Sequence, residues 1–190
     1  MIGLDPRQLL WRLAVIGLVA TIVQIAAVSQ LEILGANADV TPLVVAAVGL
    51  LAGSLPGAAF GFGIGLLLDL ALVQTVGMSS LLLLALGYGA GRLRELRDPQ
   101  GALVPVAVGA GATALALIGF ALMSFLLGGD APLDSVILWR LALTLAWGTL
   151  LAAPVHAVVR RVLLPALPED PRRRRRRAYT TGGLSPLSRA

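Results

Sequence analysis

Cysteine and lysine are absent from the chain, histidine occurs once, and aromatic residues make up only 5% of it. Without cysteine there is no disulfide framework, no thiol nucleophile and no thiolate metal site. The lone histidine, His156, follows Pro154 close to Arg160 and Arg161 and far from Asp69. A metal site needs three or four convergent ligands, and acid–base catalysis needs a second group within hydrogen-bond reach. Neither is offered, so no catalytic residue, metal ligand or cofactor is expected. Charge is scarce too, at 13% of residues.

What the chain has is apolar length. A composition that is 57% hydrophobic, with a mean hydropathy of +0.88, cannot be hidden in the core of a soluble domain of 190 residues. The fold class expected is an all-α polytopic membrane protein. Uncharged runs from Leu13 to Leu31, Val40 to Leu68, Leu70 to Gly91, Pro99 to Gly129 and Leu141 to Val159 match or exceed the span of about 20 apolar residues that crosses a bilayer. They lack the polar–apolar alternation of a membrane barrel.

All 15 basic residues are arginines, and all but Arg140 fall in three places: the start, Arg92 to Arg97, and Arg160 onward. By the positive-inside rule those segments are cytoplasmic, and the arginine-free acidic stretches Glu32 to Asp39 and Asp130 to Asp134 are external. Val40 to Gly91 must then cross an odd number of times, and its length suits three short helices. Ser54-Leu55-Pro56-Gly57 and Gln74-Thr75-Val76-Gly77 supply the breaks. Six helices are predicted, at 9–31, 40–53, 57–73, 78–94, 102–127 and 136–163, with both termini cytoplasmic. Residues 1–165 form the transmembrane domain and 166–190 a disordered arginine-rich tail, whose composition cannot offset the entropy cost of folding. Its six-arginine run, Arg172 to Arg177, is expected to hold topology and adhere to anionic lipid, with no nucleic-acid partner. A cleaved secretory signal ending at Ala36-Asn37-Ala38 is the competing reading of the start, but the apolar run is longer than a signal core and too far from that site.

Gly53, Gly57, Gly61, Gly65 and Asp69 recur every four residues, which keeps Gly57 to Asp69 on one drifting helix face. A glycine face admits a neighbouring backbone, either within the bundle or between molecules. Gly87 and Gly91 repeat the spacing, and Gly109, Gly111 and Ala112 smooth the fifth helix. Asp69 lies in the outer half of the membrane, where a carboxylate must be paired, hydrated or protonated. Two arrangements fit. Either Asp69 pairs with Arg140, the arginine at similar depth on the sixth helix, or it binds hydroxyls such as those of Thr75, Ser79 or Ser80 while Arg140 reaches outward. Pro154 is expected to kink the last helix, and His156 to lie at the interface. Glycines around Gly61 to Gly65 and Gly87 to Gly91 are not a nucleotide loop, because no strand precedes them.

The order of these features resembles the rod shape-determining MreD family of bacteria. The stretch "ADVTPLVVAAVGLLAG", then "GSLPGAAFGFGIGLLLDL", Gly77 and "SSLLLLALGYGAGRLRE" carries the likeness, with Gly65, Leu66, Asp69, Gly77, Gly87, Tyr88 and Gly91 in order. It covers Asp39 to about Arg94. The chain departs in its arginine tail and between Asp69 and Gly77, where family members often carry glycine or proline. The resemblance implies a non-enzymatic inner-membrane subunit of the cell-elongation machinery. It implies association with MreC, and through it with MreB, RodA and a penicillin-binding transpeptidase. It also implies a six-helix fold similar to the substrate-binding subunits of energy-coupling-factor transporters. The alternative is a small-molecule binding subunit of a transporter on that same fold, with a pocket near Asp69 and Arg140.

Overall fold

Prolines stand in the first turns of four helices, where the missing N–H has no helical partner to lose. In a computed structural model, which describes residues 6–30, 39–73, 75–96, 103–126, 128 and 135–166, Pro6 opens α1 (Pro6–Gln30), Pro42 lies in the first turn of α2 (Thr41–Ala52), Pro56 in that of α3 (Ser54–Ala71) and Pro105 in that of α5 (Val104–Leu126). Helix α4 spans Met78–Leu96 and α6 spans Ser135–Leu163, running into a 3-10 turn at Leu164–Ala166. The described residues are thus six helices with no strand. The tail from 167 onward, both acidic connecting segments apart from Asp39, and Ala36-Asn37-Ala38 lie outside them.

The helices fall within a few residues of their expected positions, with one break relocated. Pro56-Gly57 is not a turn. The chain reverses at Gly53, whose φ of 105° suits a residue without a side chain, and α3 begins at Ser54. Helix α2 ends there with the Gly53 N–H on the Gly49 carbonyl at 2.9 Å.

Four helices contain stretches long and apolar enough to cross a membrane: Arg7–Ala26, Ser54–Ala71, Val104–Met123 and Trp139–Leu163. The other two differ. Helix α4 ends in Arg92, Arg94 and Glu95, and α2, with 12 residues, is about 18 Å long against a hydrocarbon thickness of about 30 Å. Helix α2 is instead the hub. Every residue from Thr41 to Leu50 is buried, and α1, α3, α4, α5 and α6 form a closed ring around it, each touching α2 and its two neighbours in that order. Val45, Val48, Ile64 and Leu83 fill the centre. Large apolar side chains also cover the outside, among them Leu18 and Ile22 on α1 and Leu115, Ile118 and Leu122 on α5. Such a surface fits a hydrocarbon solvent.

The tightest contact in the ring joins α3 to α4, antiparallel and in one register. Gly57 faces Gly87, Gly61 faces Leu83, Gly65 faces Ser80, and Ser54 faces Gly91. A methyl group on Gly57 would come within 2.6 Å of the Gly87 carbonyl oxygen and 2.7 Å of the Gly49 Cα, so three backbones meet at one point. Apolar burial contributes little between helices in lipid, and close packing takes its place. By contrast Gly63, Gly89 and Gly111 face open space.

This division generates a paired prediction. Gly57→Ala should lower stability by about 1 to 3 kcal/mol through overpacking against backbone that cannot yield. Gly63→Ala should be neutral or stabilising by up to about 1 kcal/mol through helix propensity. Thermal unfolding of the two variants in one detergent checks the contrast, and equal losses would show that the glycine face is not what holds α3 to α4.

Candidate functional site

A helix end inside lipid leaves backbone N–H and C=O groups that no water can satisfy. Several polar side chains among the described residues stand at those ends. Asp69, fully buried in the last turn of α3, lies over the start of α4: it accepts the Gly77 N–H at 2.7 Å, the Ser79 N–H at 3.2 Å and the Ser80 hydroxyl at 3.2 Å. Gly77, with φ of 99°, turns the chain into α4 and presents its N–H to the carboxylate. The carboxylate therefore caps a neighbouring helix, where the positive end of the helix dipole favours negative charge.

The same device runs in the opposite direction at the other end of the pair. Glu95, in the last turn of α4, accepts the Ser54 N–H at 3.2 Å and the Ser54 hydroxyl at 2.6 Å, at the first residue of α3. Each helix of the antiparallel pair thus carries the acid that caps its partner. Arg92 donates to the far oxygen of Glu95 at 3.1 Å, the one ion pair among the described residues, and its guanidinium lies 6.0 Å from the ring centre of the part-exposed Tyr88. Cations serve the helix C-termini. Arg94 donates to the Leu51 carbonyl at the end of α2, and Arg12 to the Val162 carbonyl at 2.6 Å near the end of α6, closing the ring from α1.

At the far end of α2, Gln24 of α1 accepts the Val40 N–H at 2.9 Å and Asp39 accepts the Thr41 N–H at 3.2 Å. Pro42 has no N–H to satisfy. Asp39 lies before α2 and outside the helices, and burial pushes its carboxyl up to about 6, partly opposed by the Thr41 N–H. Thr41 is 1% exposed, and its hydroxyl has no hydrogen-bond partner.

Asp69 and Arg140 are not paired. Helix α3 packs against α1, α2 and α4, while α6 packs on α5, α2 and α1, so the two elements do not meet. Arg140 is exposed, and Asp69 is held by three donors around the start of α4, two of them from Ser79 and Ser80. His156 is half-buried, and its Nδ1 lacks a partner. It borders a cavity of about 10 Å³ between α2, α5 and α6, lined by Leu43, Ala47, Val108 and Ala152, which has room for about one water. A shallow hollow of about 520 Å³ lies over the exposed face of α6, against Ala142, Leu145, Ala146, Thr149 and Leu150. Neither space gathers the several polar groups of a ligand pocket, and no three His, Cys, Asp or Glu among the described residues come together as metal ligands.

Reading the sequence missed Glu95, Gln24 and Gly49. Gly49 carried a signal, since it extends the four-residue glycine spacing back into α2. The segment after Asp69 also differs from its surroundings. Val73, 91% exposed just past the end of α3, has φ of 52°. That is the position after a helix C-cap where glycine usually stands, and a β-branched side chain is strained there.

Comparison of the chain with protein-family models, with curated proteins and with solved structures finds no match.

Two predictions arise here. Asp69→Ala strands three donors and should cost about 3 kcal/mol or more, Asp69→Asn should cost less because an amide oxygen remains, and Arg140→Ala should leave the unfolding temperature unchanged. A matching loss in Arg140→Ala, with recovery in the charge-swapped double variant, would restore the ion pair. Val73→Gly should raise stability by about 1 kcal/mol by relieving the left-handed backbone, measured in the same unfolding assay.

Proposed function

We propose that this chain is a non-enzymatic scaffold subunit of the bacterial cell-elongation machinery, a multi-pass inner-membrane protein of the MreD type that acts with MreC in cell shape and peptidoglycan synthesis. The observation that carries this reading is the use made of the residues behind the resemblance. Gly57, Gly61, Gly65, Gly87 and Gly91 lie between α3 and α4, and Asp69 with Gly77 forms the cap at one end of that contact. The one buried acid among the described helices is engaged in structure, with the Gly77 N–H, the Ser79 N–H and the Ser80 hydroxyl all donating to it. What such a chain offers partners is a rigid shape with apolar outer faces.

In this reading the end that collects Arg12, Arg94, Arg160 and Arg161 is cytoplasmic, as are both termini, and the tail lies on anionic lipid. MreC is the direct partner, and MreB, RodA and a penicillin-binding transpeptidase associate through it. The fold similarity to transporter substrate-binding subunits belongs to the same proposal.

The test is a mild-detergent pull-down of the tagged chain from its native membrane, with mass spectrometry of proteins and small molecules. Wild type should recover MreC and wall-synthesis enzymes, and Asp69→Asn should recover less of both in proportion to its lost stability. Recovery of an ATPase module and a bound metabolite would replace the scaffold with the transporter subunit.

A further inference from the structure

We propose that the seam between α1 and α6, at the arginine-bearing end of the bundle, holds one anionic phospholipid, with Arg12 and Arg161 on its phosphate and an acyl chain along Val15, Val19 and Val158. The inference needs only that the apolar outer faces lie in lipid, and it does not depend on the scaffold reading.

Charge is the first support. Arg12 closes the seam by donating to the Val162 carbonyl at 2.6 Å, which occupies one of the five N–H donors of its guanidinium and brings no counter-charge. On α4, by contrast, Arg92 is paired with Glu95. Helices α1 and α6 and the 3-10 turn after α6 contain no Asp or Glu. Arg7, Arg12, Arg160 and Arg161 therefore stand at this edge with no acidic partner among the described residues. The chain beyond Ala166 does not redress the balance, since it holds seven arginines against Glu169 and Asp170.

Depth and surface are the second support. Trp11, 72% exposed, directly precedes Arg12. An exposed tryptophan on a membrane helix favours the interface, which puts the neighbouring guanidinium at the level of lipid phosphates. Toward the middle of the bundle the seam is bordered by exposed apolar side chains. Val15 and Val19 lie three and seven residues past Arg12 on one face of α1, and Val158 lies one turn before Val162 on α6. A phospholipid matches both halves of this edge. Its phosphate oxygens accept from guanidinium in a forked pair, and basic sites between transmembrane helices recognise such headgroups. Because α1 meets the rest of the ring lightly, a lipid seated here would tie it to α6.

Geometry separates this seam from a general attraction of arginine to a charged surface. Along α6, Arg161 lies about 100° round the helix from Val162 and Arg160 about 160°. The two arginines share a depth and a charge, but Arg161 stands nearer the seam.

The experiment titrates the purified full chain, in a neutral detergent, with dioleoyl phosphatidylglycerol and separately with dioleoyl phosphatidylcholine. Native mass spectrometry reads the bound lipid and thermal unfolding reads its effect. Wild type should retain one phosphatidylglycerol and unfold at a higher temperature with it, and should do neither with phosphatidylcholine. Arg161→Gln should unfold as wild type does without lipid and bind phosphatidylglycerol about fivefold more weakly, the effect of one arginine near an anionic surface. Arg160→Gln should weaken binding by no more than about twofold, because a more distant exposed charge is screened. Replacing Arg172 to Arg177 together by glutamine should leave the one retained lipid in place. Equal losses in Arg160→Gln and Arg161→Gln, or loss of the retained lipid with the tail arginines, would overturn the seam site. Inorganic phosphate that raised the unfolding temperature as phosphatidylglycerol does would overturn the lipid as its occupant.

Discussion

In hydrocarbon a helix end is more expensive than a helix middle, and the arrangement of α3 and α4 follows from that constraint. Their backbones approach closely because glycine lines the seam, and close approach brings each terminus beside the last turn of the other helix. The acids stand in those last turns: Asp69 serves the start of α4, and Glu95 serves the start of α3. The glycine period of four residues sets the close approach but would tolerate a slide of one turn, whereas the two caps would not, because such a slide lifts both carboxylates off their donors. The caps therefore select the register that the glycines permit.

The same constraint explains how a helix as short as α2 can sit at the centre. A 12-residue helix surrounded by five others has both ends near or within the apolar layer, so its terminal groups need partners from the ring. Arg94 reaches the Leu51 carbonyl from α4, Gln24 reaches the Val40 N–H from α1, and Pro42 removes one orphan donor. The ring closes through a further contact of this kind, Arg12 on the Val162 carbonyl. Polar residues are few in this chain, and those of the described helices that form hydrogen bonds between elements do so mostly at helix ends.

Much of this was legible in the sequence because the governing signals are local. Apolar run length located six helices, and a four-residue glycine period marked the α3 face. Register between helices is not local, which is why the sequence left Asp69 with two arrangements. The expectation of similar depth put Arg140 beside it. Depth along the membrane normal says nothing about which helices are neighbours, and α3 and α6 lie on different sides of the hub. The misplaced turn has a different cause. Pro-Gly is a turn signal in water-exposed chain, but Pro56 fits a first helical turn equally well, and Gly53 had already reversed the chain with a positive φ. Glu95 escaped notice because an acid among arginines reads as surface charge, and its role exists only once Ser54 is folded against it.

These placements bear on where partners can bind. The residues that carry the resemblance are consumed inward: the glycines by backbone contact, Asp69 and Gly77 by the cap, and of the seven in order only Tyr88 is substantially exposed. Such a motif records a way of joining α3 to α4, and it can persist wherever that joint is needed, whatever binds outside. If the chain is a scaffold, its specificity belongs to surfaces the motif leaves out. The ring is most thinly joined at α1, which meets α3 largely through Gly17 against Ile64 and Phe60 and exposes Trp11, Leu18 and Ile22 outward. A firm α2–α3–α4 unit with less tightly held helices at its flank divides the labour between a part that fixes shape and parts whose outer faces remain open to other membrane helices.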